Sequence, residues 1–184
     1  VEYTVVDEAG NESTCIQTVE VTDDELPTII CASLDASYDT DAGVCSYTVN
    51  GNEFDPTVDD NCGVLSVAND YNATSSLANA EFPLGTTSVV WTVTDASGNT
   101  ATCEIEVVVE DNENPVFVNC PSDIITVGND VSNCDGGVNW SIPVAEDNCG
   151  VETVGQITGP APGSVLPVGV TEIAYEAVDA AGNR

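Results

Sequence analysis

The feature that most constrains this chain is an eleven-residue motif that occurs three times along it. The copies read V-E-Y-T-V-V-D-E-A-G-N at 1–11, V-V-W-T-V-T-D-A-S-G-N at 89–99 and I-A-Y-E-A-V-D-A-A-G-N at 173–183. Their aspartates, Asp7, Asp95 and Asp179, are 88 and 84 residues apart. Because self-similarity at a fixed period marks a repeat architecture, the chain is predicted to be part of a tandem array of small domains.

The domain boundaries follow from the phase of the motif. Residues 1–21 are predicted to be the last strand pair of a preceding repeat, 22–109 a complete repeat, and 110–184 a repeat without its last strand. That strand is expected either from a longer polypeptide or from a neighbouring chain. The longer polypeptide is favoured, because 1–11 duplicates a strand that the third repeat already contains.

Composition excludes several classes of partner. The chain has 32 acidic residues and one basic residue, for a net charge of −31. Nucleic acid is excluded and anionic membranes are disfavoured, since phosphate binding requires basic side chains. A hydrophobic content of 42% argues against disorder. No apolar run approaches the roughly 18 residues of a membrane span.

Each repeat is predicted to be all-β. Apolar and polar residues alternate over 87–95 and again over 100–109, and the A-S-G-N between them suits a hairpin turn. Further short strands are expected at 28–38, 45–50, 63–71 and 76–84. Several short antiparallel strands in one small domain predict an immunoglobulin-like β-sandwich. Trp91 and Trp140 are interpreted as sandwich residues rather than as carbohydrate-stacking platforms.

The third repeat carries the residues of a known family. The runs are E-D-N-E-N-P-V-F-V-N-C-P-S-D-I (110–124), C-D-G-G-V-N-W-S-I-P-V-A-E-D-N-C-G-V (134–151) and G-P-A-P-G-S-V-L-P-V-G-V-T-E-I-A-Y-E-A-V-D-A-A-G-N (159–183). They closely resemble the hyalin repeat, or HYR domain; 22–109 matches more loosely, with Ala32 in place of a proline. The resemblance implies immunoglobulin-like domains in tandem in an extracellular or cell-surface protein associated with adhesion, and no catalysis.

The eight cysteines follow the repeat, with four per complete unit. This pattern indicates disulfides and an oxidising compartment, whereas zinc is disfavoured because the chain has no histidine and no C-x-x-C pair. Four cysteines allow three pairings. Sandwich topology favours Cys31–Cys45, Cys62–Cys103 and Cys120–Cys134, which leaves Cys149 in need of a partner beyond Arg184. In an assembly, Cys15 of a neighbour could serve.

Acidic residues are expected to converge where the linker, the D-N-C loop and the hairpin turn meet. Carboxylates packed together without a base in reach require a cation, and Ca²⁺ takes oxygen ligands of this kind. The alternative is that these residues are solvated or form turns. The candidate ligands are Asp23, Asp24, Glu25, Asp60, Asn61 and Asp95, with Asp111, Asn112, Glu113, Asp147, Asn148 and Asp179 in the next repeat.

The sequence is consistent with two non-enzymatic functions. In the first, the array is a structural stalk, fibre or filament stiffened by disulfides and interdomain calcium, whose partners are neighbouring repeats or copies of itself. In the second, it is an adhesion module that binds an extracellular protein or glycan. Nothing in the sequence indicates a catalytic site. Three sequons, at Asn11, Asn72 and Asn139, are candidate glycosylation sites of low specificity.

Overall fold

A computed structural model describes residues 1–120 and 124–184. The Pro-Ser-Asp that follows Cys120 in the family-like run lies outside the described residues. All regular structure in the described residues is strand: β1 (Glu2–Val6), β2 (Glu12–Ile16), β3 (Thr28–Ile30), β4 (Tyr38–Asp39), β5 (Ser46–Thr48), β6 (Thr57–Asp59), β7 (Val64–Asn69), β8 (Glu81–Pro83), β9 (Gly85–Asp95), β10 (Thr100–Glu110), β11 (Val116–Phe117), β12 (Asp135–Gly137), β13 (Ala145–Glu146), β14 (Val151–Thr158), β15 (Val165–Pro167) and β16 (Ala174–Asp179).

The complete repeat is built on a four-stranded sheet in the order β4-β10-β9-β7. Its centre is the antiparallel β9–β10 hairpin, paired from Thr100 opposite Thr94 to Val109 opposite Gly85. The pairs β3–β6 and β5–β8 form the other side of the domain. The predicted hairpin and the all-β, immunoglobulin-like class are therefore confirmed.

The core of this repeat follows from the two-residue period of its strands. Val89, Trp91 and Val93 on β9 are all fully buried, and Ile105 and Val107 on β10 face the same interior. The opposing side contributes three more buried side chains: Phe54, Leu77 and Phe82. Trp91 is thus a core residue, as its place in the alternating pattern predicts.

The third repeat repeats this plan in part. Strand β16 pairs with β14, and β11–β13 and β12–β15 form two small pairs. Within the described residues, no strand pairs with the other edge of β16, whereas the equivalent edge of β9 pairs with β10. Val138, Pro143 and Ala177 are the buried apolar side chains of the described part of this repeat.

The disulfide pairing predicted from topology is wrong. The structure joins Cys31 to Cys103 within the complete repeat and Cys45 to Cys149 between repeats. Cys62, Cys120 and Cys134 are free thiols, as is Cys15. Cys149 therefore has its partner within the chain and does not require one beyond Arg184.

The strand geometry explains the errors at Cys103 and Cys45. Cys103 lies three residues along β10 from Thr100, about 10 Å from the turn, whereas Cys62 stays in the loop at the turn itself. Thr40 donates its backbone N–H to the carbonyl of Glu110 (2.9 Å), so the loop that carries Cys45 lies at the far end of β10. A disulfide needs Cα atoms within about 7 Å, and the observed pairs satisfy this, at 5.9 Å for Cys31–Cys103 and 4.8 Å for Cys45–Cys149.

The intra-repeat disulfide is expected to dominate the stability of the complete repeat. It closes a loop of 72 residues, so the double variant Cys31→Ser, Cys103→Ser should lose about 4 kcal/mol of unfolding free energy by the chain-entropy account. Urea unfolding with the remaining thiols alkylated measures this loss. The double variant Cys15→Ser, Cys62→Ser removes two free cysteines and should unfold like the parent; an equal loss in both variants would contradict the assignment.

Candidate metal centres at the repeat joints

The recurring motif folds into a turn that an aspartate organises. Asp95 Oδ1 accepts hydrogen bonds from the backbone N–H of Ser97 (2.9 Å) and Asn99 (2.8 Å), and Oδ2 accepts one from Asn99 Nδ2 (2.7 Å). Gly98 takes a φ of 95°, which favours glycine. The Asp179–Asn183 pair repeats these bonds, as does Asp7–Asn11. The aspartate, glycine and asparagine of the motif recur because they close this turn.

The turn keeps its carboxylate ionised although it is buried. Burial of Asp95 would raise its pKa, but the hydrogen bonds from the side chain and backbone of Asn99 and from the neighbouring amides outweigh this and lower the pKa below its usual value. The same balance, with Asn183 as donor, lowers the pKa of Asp179. Each turn therefore presents a negative charge to its surroundings at neutral pH.

The asparagine of the turn also holds the linker that precedes the domain. Asn99 Nδ2 donates to the carbonyl oxygens of Glu25 (3.0 Å) and Asp23 (3.3 Å), and Asn183 Nδ2 donates to that of Asp111 (2.9 Å). These bonds place an aspartate of the linker beside the aspartate of the turn.

The D-N-C loop supplies a third carboxylate. Asp60 Oδ1 accepts the N–H of Cys62 (2.9 Å), and Asp147 Oδ1 accepts the N–H of Cys149 (2.9 Å) and of Gly150 (3.0 Å). Each loop thus fixes one carboxylate oxygen and leaves the other to face the turn.

Two clusters of three carboxylates result. Asp23, Asp60 and Asp95 place one oxygen each within 4.8 Å of one another, and so do Asp111, Asp147 and Asp179. Asp95, Asp111 and Asp179 are at most 4% exposed. The negative charge of the cluster also acts on the nearby thiol of Cys62. The pKa of this thiol is raised, first by the negative Asp23 and then by burial.

Four oxygens of these clusters are buried and have no hydrogen-bond partner in the described part of the chain. They are the Oδ2 atoms of Asp23, Asp60, Asp111 and Asp147. Unpartnered buried carboxylate oxygens are costly, and the one salt bridge of the described residues, Arg184–Glu176, does not involve them. A donor set made only of oxygens that face one another fits a hard divalent cation such as Ca²⁺.

Six of the twelve predicted ligands, all of them aspartates, gather in the clusters. In the first joint, Asn61 Nδ2 donates to Glu25 Oε2 (2.9 Å), and Asp24 lies outside the cluster. In the second joint, Asn112 and Glu113 bond to the preceding repeat. The amide nitrogen of Asn148 does so as well, while its Oδ1 is buried and has no hydrogen-bond partner among the described residues.

The second joint is a contact between two repeats. Asn148 Nδ2 donates to Thr40 Oγ1 and to the carbonyl of Val44, both at 3.1 Å. Two further bonds come from the linker, Asn112 Nδ2 to Asp39 Oδ1 (2.6 Å) and Gly43 N–H to Glu113 Oε2 (3.0 Å). The Cys45–Cys149 disulfide lies in the same contact.

Sequence reasoning missed the receiving side of this joint, the loop 39–45. Its signal was the cysteine count, since four cysteines per repeat also allow bonds between repeats.

The other sequence candidates lie apart from the joints. Asn11, Asn72 and Asn139 are exposed, and the amides of Asn11 and Asn72 donate to Asp7 and to the Ser76 carbonyl. Glycosylation at the three positions stays a prediction. Trp140 Nε1 donates to the hydroxyl of Tyr175 (2.9 Å), which ties it to β16.

The described residues contain no helix with the length and apolarity needed to cross a bilayer. No solved structure matched the chain.

Comparison with known proteins identifies relatives along the whole chain. It is 34% identical over 184 residues to hyalin of Lytechinus variegatus and 31% identical over 184 residues to hyalin of Strongylocentrotus purpuratus. Each alignment covers 98% of this chain but only 33% and 15% of those proteins. An uncharacterized 81.3 kDa protein of Acholeplasma phage L2 is 29% identical over 198 residues, which is 24% of its length.

The family assignment rests on two successive matches. Residues 22–109 and 110–184 each match the HYR domain. Together with the two disulfides, these findings make the chain an extracellular or cell-surface protein. The chain belongs to the HYR domain family, as a tandem array of all-β, immunoglobulin-like repeats.

Proposed function

We propose that this chain is a structural segment of an extracellular stalk, fibre or filament whose joints are stiffened by bound calcium. The observation that carries the proposal is the pair of aspartate clusters, each with buried carboxylate oxygens that lack a partner. A stack of similar units that contact only their neighbours would supply the reach and stiffness that a stalk or fibre requires.

Calcium suits these clusters better than other cations. The ligands at hand are carboxylates, with carbonyl oxygens of the linker beside them, and neither imidazole nor thiolate is part of either cluster. Ca²⁺ accepts six to eight such oxygens in flexible geometry, whereas Mg²⁺ requires a near-ideal octahedron and gives up water reluctantly. A divalent cation would also neutralise carboxylates that no basic side chain reaches.

The location of the second cluster explains how calcium would stiffen the array. Asp111 immediately follows β10 of one repeat, while Asp147 and Asp179 belong to the loop and turn of the next. A cation held by all three would fix the linker to the following domain. Together with the Cys45–Cys149 bond, this would make the joint a rigid connection.

An alternative function is an adhesion module in which the repeats bind an extracellular protein or glycan. The similarity to hyalin supports an adhesion-type role for the HYR family in general, and it does not identify a ligand for this chain. If the chain binds a ligand with the same affinity in calcium and in chelator, so that binding does not depend on the stiffness of the joints, this alternative is favoured.

Calcium should stabilise the chain at two sites. Extracellular modules commonly bind Ca²⁺ with dissociation constants of about 0.1 to 1 mM, so about 10 mM should add roughly 1.4 to 2.7 kcal/mol per site. Isothermal titration should give two ions per chain, and the melting temperature should fall when a chelator is added. Mg²⁺ at the same ionic strength is the control. An unchanged melting temperature in calcium and chelator would contradict the proposal.

Removal of one cluster carboxylate should have opposite effects with and without calcium. Asp60→Asn keeps the oxygen that accepts the Cys62 N–H, and should raise stability in chelator by about 1 kcal/mol as repulsion is relieved. It should also abolish the calcium-dependent gain at that site. Asp59→Asn, at the exposed neighbouring acid, is the matched control and should leave the calcium increment intact. Thermal melts of the three proteins in calcium and in chelator make the comparison.

The inter-repeat disulfide should protect the linker. In Cys149→Ser the joint is held only by hydrogen bonds and the cation, so local opening should increase cleavage after Glu113 by a glutamate-specific protease. An increase of about tenfold corresponds to about 1.4 kcal/mol of lost local stability. Cys45→Ser should behave alike, whereas Cys134→Ser, a free and exposed thiol, should not. Equal cleavage of all three variants would show that the bond does not brace the joint.

A further inference from the structure

The disulfide between the repeats and the second aspartate cluster meet at two neighbouring residues of the D-N-C loop. Asp147 Oδ1 accepts hydrogen bonds from the backbone N–H of Cys149 (2.9 Å) and of Gly150 (3.0 Å). Its Oδ2 is buried without a hydrogen-bond partner among the described residues, and this carboxylate belongs to the cluster with Asp111 and Asp179. The residue whose sulfur forms the disulfide therefore also orients a carboxylate of the cluster.

The far side of the disulfide holds this loop against the preceding repeat. Asn148 Nδ2 donates to Thr40 Oγ1 and to the Val44 carbonyl oxygen, both at 3.1 Å, in the loop that ends at Cys45. Asn148 directly precedes Cys149, so the disulfide and the two hydrogen bonds restrain adjacent residues. Because water competes for each hydrogen bond, the disulfide is the stronger of these restraints.

The linker aspartate of the cluster depends on the same contact. Asp111 is 4% exposed, and its Oδ2 is another buried oxygen without a partner in the described part of the chain. The two residues after it bond to the preceding repeat: Asn112 Nδ2 donates to Asp39 Oδ1 (2.6 Å), and Glu113 Oε2 accepts the Gly43 N–H (3.0 Å). One loop of the preceding repeat thus restrains two of the three segments that carry cluster carboxylates.

The two disulfides of the chain differ in their access to a reductant. Cys31 and Cys103 pack against the hydrophobic core of the complete repeat. Cys45 and Cys149 join two loops at the joint, and Val44 beside them is 48% exposed. Because thiol–disulfide exchange requires access to a sulfur atom, a reductant reaches the disulfide of the joint without unfolding a repeat.

We propose that the Cys45–Cys149 disulfide controls calcium binding at the second cluster. The intact bond holds Asp147 in place for the cation, and its reduction frees the D-N-C loop and lowers the calcium affinity of the cluster. The inference rests on the proposed function, because it requires calcium at this site. The first cluster should not respond, since Asp95 ends β9 whereas Asp111 follows β10, at the opposite end of the hairpin.

The reductant is a dithiol, such as dithiothreitol or a thioredoxin-type protein. One thiolate of the dithiol attacks a sulfur of the disulfide and releases the other cysteine as a thiolate. The second thiol of the reagent then displaces the first cysteine, and the dithiol becomes a cyclic disulfide. The protein disulfide gains two electrons, the dithiol loses two, and the two protons of the dithiol pass to the two cysteine thiolates.

Calcium binding and disulfide formation are linked by a single factor. If the disulfide strengthens calcium binding about tenfold, saturating calcium must favour formation of the disulfide by the same factor, because the four states form a closed cycle. For a two-electron couple, a tenfold change corresponds to a shift of about 30 mV in reduction potential. Each half of this linkage can be measured separately.

The first measurement is the calcium affinity with and without the disulfide, by isothermal titration with calcium chloride. Asp60→Asn disables the first cluster, and in this background Cys45→Ser with Cys149→Ser should raise the dissociation constant about tenfold. Asp147→Asn disables the second cluster, and in that background the same two cysteine substitutions should leave the dissociation constant of the first cluster unchanged. Equal affinities in the Asp60→Asn background, with and without the disulfide, would overturn this inference alone. Absence of calcium binding in the parent would overturn the proposed function and this inference with it.

The second measurement uses the chain with both disulfides intact. In dithiothreitol redox buffers, alkylation and peptide mapping should show that the Cys45–Cys149 potential is about 30 mV more negative in calcium than in chelator. Mg²⁺ at the same ionic strength is the control for charge screening, and Cys31–Cys103 should show no calcium-dependent shift. Asp147→Asn should abolish the shift, because it removes a carboxylate of the cluster. No shift in the parent, or an equal shift in Asp147→Asn, would overturn the proposal.

Discussion

The hydrogen bonds between the motif aspartate and the asparagine four residues later are the interaction on which the joints depend. Asp95 and Asn99 close the β9–β10 turn, and the same asparagine amide holds the linker through the carbonyl of Glu25. One short motif thereby sets the hairpin, the path of the linker and the position of two of the three cluster carboxylates. Replacement of the asparagine would disturb all three at once, which is why the motif recurs with so little change.

The joint between the repeats combines a repulsive and an attractive element. The three carboxylates of Asp111, Asp147 and Asp179 repel one another, and within the described residues no basic group offsets them. The Cys45–Cys149 bond and the amides of Asn112 and Asn148 hold the two repeats together in spite of this repulsion. The disulfide therefore holds the joint together although its carboxylates repel one another. A bound cation would remove this repulsion and would link the three carboxylates to one another.

The sequence was informative wherever the determinants are local. Alternation over 87–95 and 100–109 located the central hairpin and the buried face that carries Trp91, because strand period and turn residues act over a few positions. Convergence of linker, loop and turn followed from sandwich topology, and Asp23, Asp60 and Asp95 do meet. Residues such as Asn112 and Asn148 could not be placed, since their partners at 39–44 belong to the preceding repeat and share no local pattern with them.

The disulfides also differ in how far they depend on local sequence and on contacts between repeats. Pairing within a repeat was predicted because cysteines of one small domain usually staple that domain. Cys31–Cys103 obeys this rule, but Cys45 sits at the end of the repeat that faces its neighbour and bonds to Cys149 there. Every free cysteine of the chain is the counterpart, by position in the repeat, of one that is bonded. The unit of stability is consequently the joint together with its two repeats, because a single repeat leaves the Cys45–Cys149 bond incomplete.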